Sequence, residues 1–194
     1  MNRRSRLILI AVLAWASAAA AAETSESLIS QADSARAEAV EARAELLAPE
    51  SFRSGERDME RARSDAARGR NADRISRWAR DATSSFRRAA EAAALATTRL
   101  AAVVRARTAA SEAGADDLKL DDWRRGEDTL EKAAIALERG DEADSTRLGE
   151  NAADLYRSAE LRAIKLRLLA DTKALIEDAR KQNVFGRGLS PTLE

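Results

Sequence analysis

The chain has 194 residues with 33 basic and 33 acidic side chains. It is 45% hydrophobic but only 4% aromatic, and it contains no cysteine and no histidine. Without cysteine there is no disulfide, thiolate nucleophile or cysteine-linked lipid, and without histidine the usual near-neutral base and commonest transition-metal ligand are missing. These absences remove most hydrolase and metalloenzyme mechanisms. Carboxylates abound, yet no pattern fixes two of them across a cleft for acid–base work, so the sequence reads as non-catalytic and without a cofactor.

Residues 1–22 read as a secretory signal peptide. Asn2-Arg3-Arg4-Ser5-Arg6 is a basic start, Leu7 to Leu13 is apolar, and Ala20-Ala21-Ala22 before Glu23 fits a small-residue cleavage site. The alternative is an uncleaved anchor in the inner membrane, but a spanning helix needs ~20 apolar residues and this stretch is short and alanine-rich. The expectation is a periplasmic protein. Losing three arginines leaves 30 basic residues against 33 acidic, a net charge of −3, which disfavours nucleic acid as a partner.

The segment 23–47 is expected to form an N-terminal helix. Beyond it the chain repeats with an offset of 71: Phe52/Trp123, Gly55/Gly126, Glu56/Glu127, Met59/Leu130, Ala62/Ala133 and Gly69/Gly140 all fall in that frame. Leu47, Leu118 and Leu189 mark the same spacing beside helix-breaking stretches. A period of that size is a structural unit built twice, over 48–118 and 119–189, with 190–194 as a tail or the start of a truncated third unit.

Each unit reads as a short helix, a glycine turn and a long helix. The short helices are expected at about 51–68 and 121–139, and the long ones at about 71–113 and 142–182. Asp121, Asp122 and Asp141 are expected to cap helix starts. Within the long helices the offset slips to 70, which sets Trp78 opposite Leu148 and Phe86 opposite Tyr156. A helix of ~40 residues spans ~60 Å, more than its short partner can cover. The predicted fold is therefore all-α: elongated tandem repeats in which long shared helices join three-helix, spectrin-like bundles through alanine seams.

Two surfaces are candidates for binding. Arg68, Arg70, Arg74, Arg77, Arg80, Arg87 and Arg88 make a basic stretch, and Trp78 among them could stack on a sugar, so an anionic glycan or lipid is one ligand class. The bland reading is a solvated face with Asp73, Arg77 and Asp81 paired along the helix. The large aromatics Phe52, Trp78, Phe86, Trp123 and Tyr156 are expected to anchor the bundle cores, with Trp78, opposite only Leu148, the best candidate for an exposed one. Residues 116–144 are acidic, but their spacing is not that of a calcium loop, and no metal site is assigned. The opposite charges of the two stretches could bring units or molecules together. The second candidate is the end of the last helix, where Leu166, Leu169, Leu175 and Ile176 lack the short helix they would pack against.

The segments Ala48-Pro49-Glu50, Glu60-Arg61-Ala62 with Gly69, and Leu130-Glu131-Lys132-Ala133 with Gly140-Asp141 resemble the alanine-rich repeat of a bacterial envelope family. That family is a domain of unknown function in exported proteins and lipoproteins, often joined to an OmpA-like domain that grips peptidoglycan. The resemblance implies an envelope location and a helical repeat. This chain lacks the lipoprotein cysteine and an OmpA-like domain, so neither peptidoglycan binding nor any site residue carries over. The expected role is a structural rod or protein-interaction module in the envelope, with self-association or an envelope protein as partner. The runner-up is a binding module for anionic glycan or lipid.

Overall fold

A computed structural model of the chain describes residues 25–186, with side chains to residue 182. The leader expected over 1–22 and the tail expected over 190–194 lie outside the described residues. Among the described residues the protein is all-helical: α1 (25–41), α2 (Ala44–Leu47), α3 (Pro49–Ala67), α4 (Ala72–Arg99), α5 (Ala101–Glu112), α6 (Asp121–Glu138) and α7 (Glu142–Gly186). No helix there is long and apolar enough to cross a membrane.

Local chemistry sets most boundaries. Pro49 opens α3 at a position where its missing N–H costs nothing. Asn71 caps α4 by accepting from the Asp73 N–H at 2.8 Å, and Asp141 caps α7 by accepting from the Asp144 N–H at 3.0 Å. Asp121 and Asp122 are not caps. They lie inside the first turn of α6, where they pair with Arg124 and Arg125. Gly69, Gly114 and Gly140 end helices with positive φ of 60°, 86° and 81°. At each, the next residue's N–H reaches back five residues: Arg70 to the Asp65 carbonyl, Ala115 to Ala110 and Asp141 to Ala136. This is the Schellman ending, which glycine permits.

Two expected helices are broken where the sequence carries neither glycine nor proline. The N-terminal helix stops at Arg43, which takes φ 58°, and restarts as α2. The first long helix is interrupted at Leu100, so α4 and α5 replace one helix over 71–113. The second long helix runs on to Gly186 rather than ending near 182.

The described residues form two compact units, 25–101 with 131–147, and 102–130 with 148–186. In the first, α3 packs on α4, and α2 touches both. Ala62, Ala79, Ala82, Ala89 and Ala93 make the seam, with Leu47, Phe52, Met59 and Phe86 as its large members, all buried. The α3 N-terminus has no side-chain cap of its own, because Ala48 precedes it. Its orphan donors are met from α6 instead: the Glu138 carboxylate accepts from the Glu50 N–H at 2.9 Å and the Ser51 N–H at 2.8 Å. Arg139 then grips Glu50 through two bonds of 2.8 and 2.9 Å. The core of the second unit holds Val103, Ala110, Trp123, Leu130, Ala152, Tyr156 and Ala159.

Candidate functional sites

Each unit is centred on a glycine–aromatic contact. In the first, the bare backbone of Gly55 admits the Phe86 ring, whose Cδ1 and Cε1 would lie 2.7 Å from any added Cβ. Phe52 meets that ring edge-on at 5.5 Å, and Arg36 of α1 lies over Phe52 at 6.0 Å while its Nε donates to Glu56 at 2.5 Å. In the second, Gly126 admits Tyr156, Trp123 meets it at 5.3 Å, and Arg107 lies over Trp123 at 5.2 Å. Arg107 holds Glu127 through bonds of 2.7 and 3.0 Å.

The second constellation has one member more. The Tyr156 hydroxyl donates to Glu127 at 2.6 Å, a contact that Phe86 lacks the atom to make. Burial, and then the bond to Glu127, push the tyrosine hydroxyl well above its ordinary value of 10.0. The bond to Glu127 likewise raises Arg107 above its ordinary value. Both carboxylate oxygens of Glu127 are occupied. The sequence reading missed Arg36 and Arg107, although they too stand 71 apart. Carrying the offset upstream of Leu47 would have found them.

The arginine face divides. Arg74 Nε pairs with the buried Asp65 carboxylate at 2.7 Å. Arg70 sits in the turn after α3, and Arg77 is exposed without forming the expected ladder with Asp73 and Asp81. Trp78 is not the exposed platform expected. It is half-buried, and the Arg61 guanidinium covers its ring at 4.9 Å, because α3 runs alongside and a cation over an indole face is favourable. Arg80, Arg87 and Arg88 do converge. With Leu28, Gln31, Thr83, Ser84 and Glu91 they line a shallow groove of about 510 Å³ between α1 and α4. Arg88 also donates to the Ser85 hydroxyl at 3.1 Å.

The acidic stretch is largely engaged within the units. Asp116 accepts from Ser111 at 2.8 Å, Glu131 pairs with Arg53 at 2.7 Å, and Glu142 pairs with Arg99 at 3.3 Å. Glu127 and Glu138 have the partners described above.

The end of α7 is different in kind. Up to Ala163 the helix buries Ala152, Tyr156, Ala159 and Ala163. Beyond it, Leu166 is 41% exposed, Leu169 67%, Leu175 71% and Ile176 48%, Leu168 is exposed as well, and so is Leu161 just before it. This apolar row is the candidate interaction surface of the helix.

No family model, no curated protein and no solved structure matches this chain.

Proposed function

We propose that this all-helical protein is a non-catalytic, exported component of a bacterial cell envelope that acts as a scaffold or protein-interaction module. One observation carries the reading: α7 buries Ala152, Tyr156, Ala159 and Ala163, whereas Leu161, Leu166, Leu168, Leu169, Leu175 and Ile176 toward its end are exposed. Tandem repetition with spectrin-like packing is part of the proposal. It is supported by the recurrence of the arginine–glutamate–aromatic–glycine constellation at Arg36/Arg107, Glu56/Glu127, Phe52/Trp123 and Gly55/Gly126. The periplasmic location rests on the leader's sequence pattern. The test is cross-linking in envelope preparations, comparing wild type with Leu169→Glu/Ile176→Glu. Specific adducts, including adducts between copies, that vanish in the variant support the role. Equal recovery by both proteins, or cytoplasmic retention of the chain, refutes it.

The groove favours a second reading, a module for anionic glycan or lipid. Three guanidinium groups beside two hydroxyls and a carboxamide suit phosphate or carboxylate groups. Vesicles with and without phosphatidylglycerol, and acidic glycan fragments, would be titrated against wild type and Arg80→Glu/Arg87→Glu. Salt-sensitive binding lost in the variant supports this reading, and binding unchanged by the substitutions removes it.

A further inference from the structure

The exposed row on α7 does not prolong the seam that packs the second unit. An α-helix advances about 100° per residue, so Ala152, Tyr156, Ala159 and Ala163 share one side. The exposed Leu161, Leu168, Leu169, Leu175 and Ile176, with the half-buried Ile164, centre about half a turn away, on the opposite side. Before Leu161 that opposite side is polar, with Glu150, Asp154 and Arg157 exposed. Past Ala163 the packing side keeps one large apolar residue, the exposed Leu166, and then fades into Ala170, Ala174, Glu177 and Lys181, all exposed. The helix therefore exchanges one apolar face for another. The new face holds leucine at intervals of seven, Leu161, Leu168 and Leu175, with the small Thr172 between the last two and the small Ala179 four residues beyond Leu175.

The charges beside this face are sorted by side. Glu160, Asp171 and Asp178 line one edge, and Arg162, Lys173 and Arg180 line the other. Arg167 lies outside the acidic edge. Lys165 enters the face, where its stem can cover apolar surface while the ammonium reaches water. All these flanking groups are exposed except Glu160, which is half-buried, and Asp178 has only a 3.7 Å contact to Lys181 within its own helix.

We infer that a second copy of this chain covers the face, the two α7 ends pairing in parallel as a two-stranded coiled coil. The inference rests on the interaction-module reading and names its partner. When two identical helices run parallel, the left edge of one meets the right edge of the other, so acids meet bases along both margins. Running antiparallel, they would set acids against acids and bases against bases, which is repulsive. Residues 161–182 supply about three heptads, roughly 33 Å of helix, for the contact.

Sedimentation equilibrium of the mature chain at low salt tests this. A reversible dimer is expected, converted to monomer by Leu168→Lys/Leu175→Lys with helicity unchanged, because both leucines are already exposed. Asp171→Lys/Asp178→Lys makes both edges basic and weakens the dimer roughly tenfold or more, and adding Lys173→Asp/Arg180→Asp in the same chain restores it. Orientation is read by Ala179→Cys, which introduces the chain's sole thiol. Parallel copies form the disulfide-linked dimer on mild oxidation, whereas antiparallel copies hold the thiols about 20 Å apart. A monomer at every concentration, or a dimer that Ala179→Cys does not lock, overturns the inference. If that monomer still gives α7-dependent cross-links to another envelope protein, the interaction-module reading survives. If it gives none, both readings fall.

Discussion

Replacing Gly55 by alanine should destabilise the first unit, although the same change inside a helix ordinarily stabilises. Alanine is preferred over glycine in a helix interior by about 0.5–1 kcal/mol. Here the new methyl would stand 2.7 Å from two Phe86 ring carbons and 2.9 Å from a third. Phe86 is fully buried and meets the Phe52 ring edge-on at 5.5 Å, so it has no open space to enter. Overpacking of this kind costs about 1–3 kcal/mol, which exceeds the gain in propensity. The net expectation is a loss of about 0.5–2 kcal/mol, followed by circular dichroism at 222 nm during thermal or urea unfolding. The sign should reverse when the ring is removed. In a Phe86→Leu background, Gly55→Ala should stabilise by about 0.5–1 kcal/mol, because only the propensity gain remains. Gly55→Ala alone that left stability unchanged or raised it would refute close contact as the reason for glycine at this position.

Tyr156→Phe should cost about 0.5–1.5 kcal/mol at neutral pH, since it deletes the bond to Glu127 and keeps the ring. The folded-state value of that hydroxyl is raised, so its contribution is complete below pH 10 and falls as pH rises beyond it. The variant's alkaline loss of stability, measured by urea unfolding at pH 9–11, should be shallower than that of wild type. Glu138→Ala should loosen the start of α3 by about 1–2 kcal/mol, because two backbone donors lose their acceptor. Faster hydrogen exchange at Glu50 and Ser51 would report it, and exchange as slow as in wild type would contradict it. Arg139 holds Glu50 below its usual 4.5 by a hydrogen bond, so that contact helps above pH 4.5 and is lost as pH falls. Glu50→Gln should flatten the acid limb of the stability profile.

The 71-residue offset made the central aromatics and glycines legible, because both a large ring and the space for it had to recur. Phe52 with Trp123 and Gly55 with Gly126 could be paired from their spacing alone. Arg36 and Arg107 share the offset too, but Arg36 lies upstream of Leu47, where the repeat was taken to begin. The breaks at Arg43 and Leu100 were illegible for a different reason: neither position holds glycine or proline, and tertiary packing overrides local preference there. The Glu138 cap joins residues 87 and 88 apart in sequence, and no local pattern announces such a contact. Trp78 stood out as the best candidate for an exposed aromatic because its counterpart is Leu148. The residue that covers it, Arg61, belongs to a different helix. On α7 the sequence did show the leucines, but their half-turn displacement from the packing seam emerges only once the buried side is known.

The stacked arginines make the protein its own spectroscopic reporter. Trp78 lies under Arg61 in one unit and Trp123 under Arg107 in the other. The third tryptophan, Trp15, falls within the expected leader. In the mature chain, Trp78→Phe therefore leaves an emission signal belonging to the second unit alone, and Trp123→Phe leaves one belonging to the first. Two melting curves recorded in this way would either superimpose or separate. They would thus measure directly whether heat dismantles the units together or in succession.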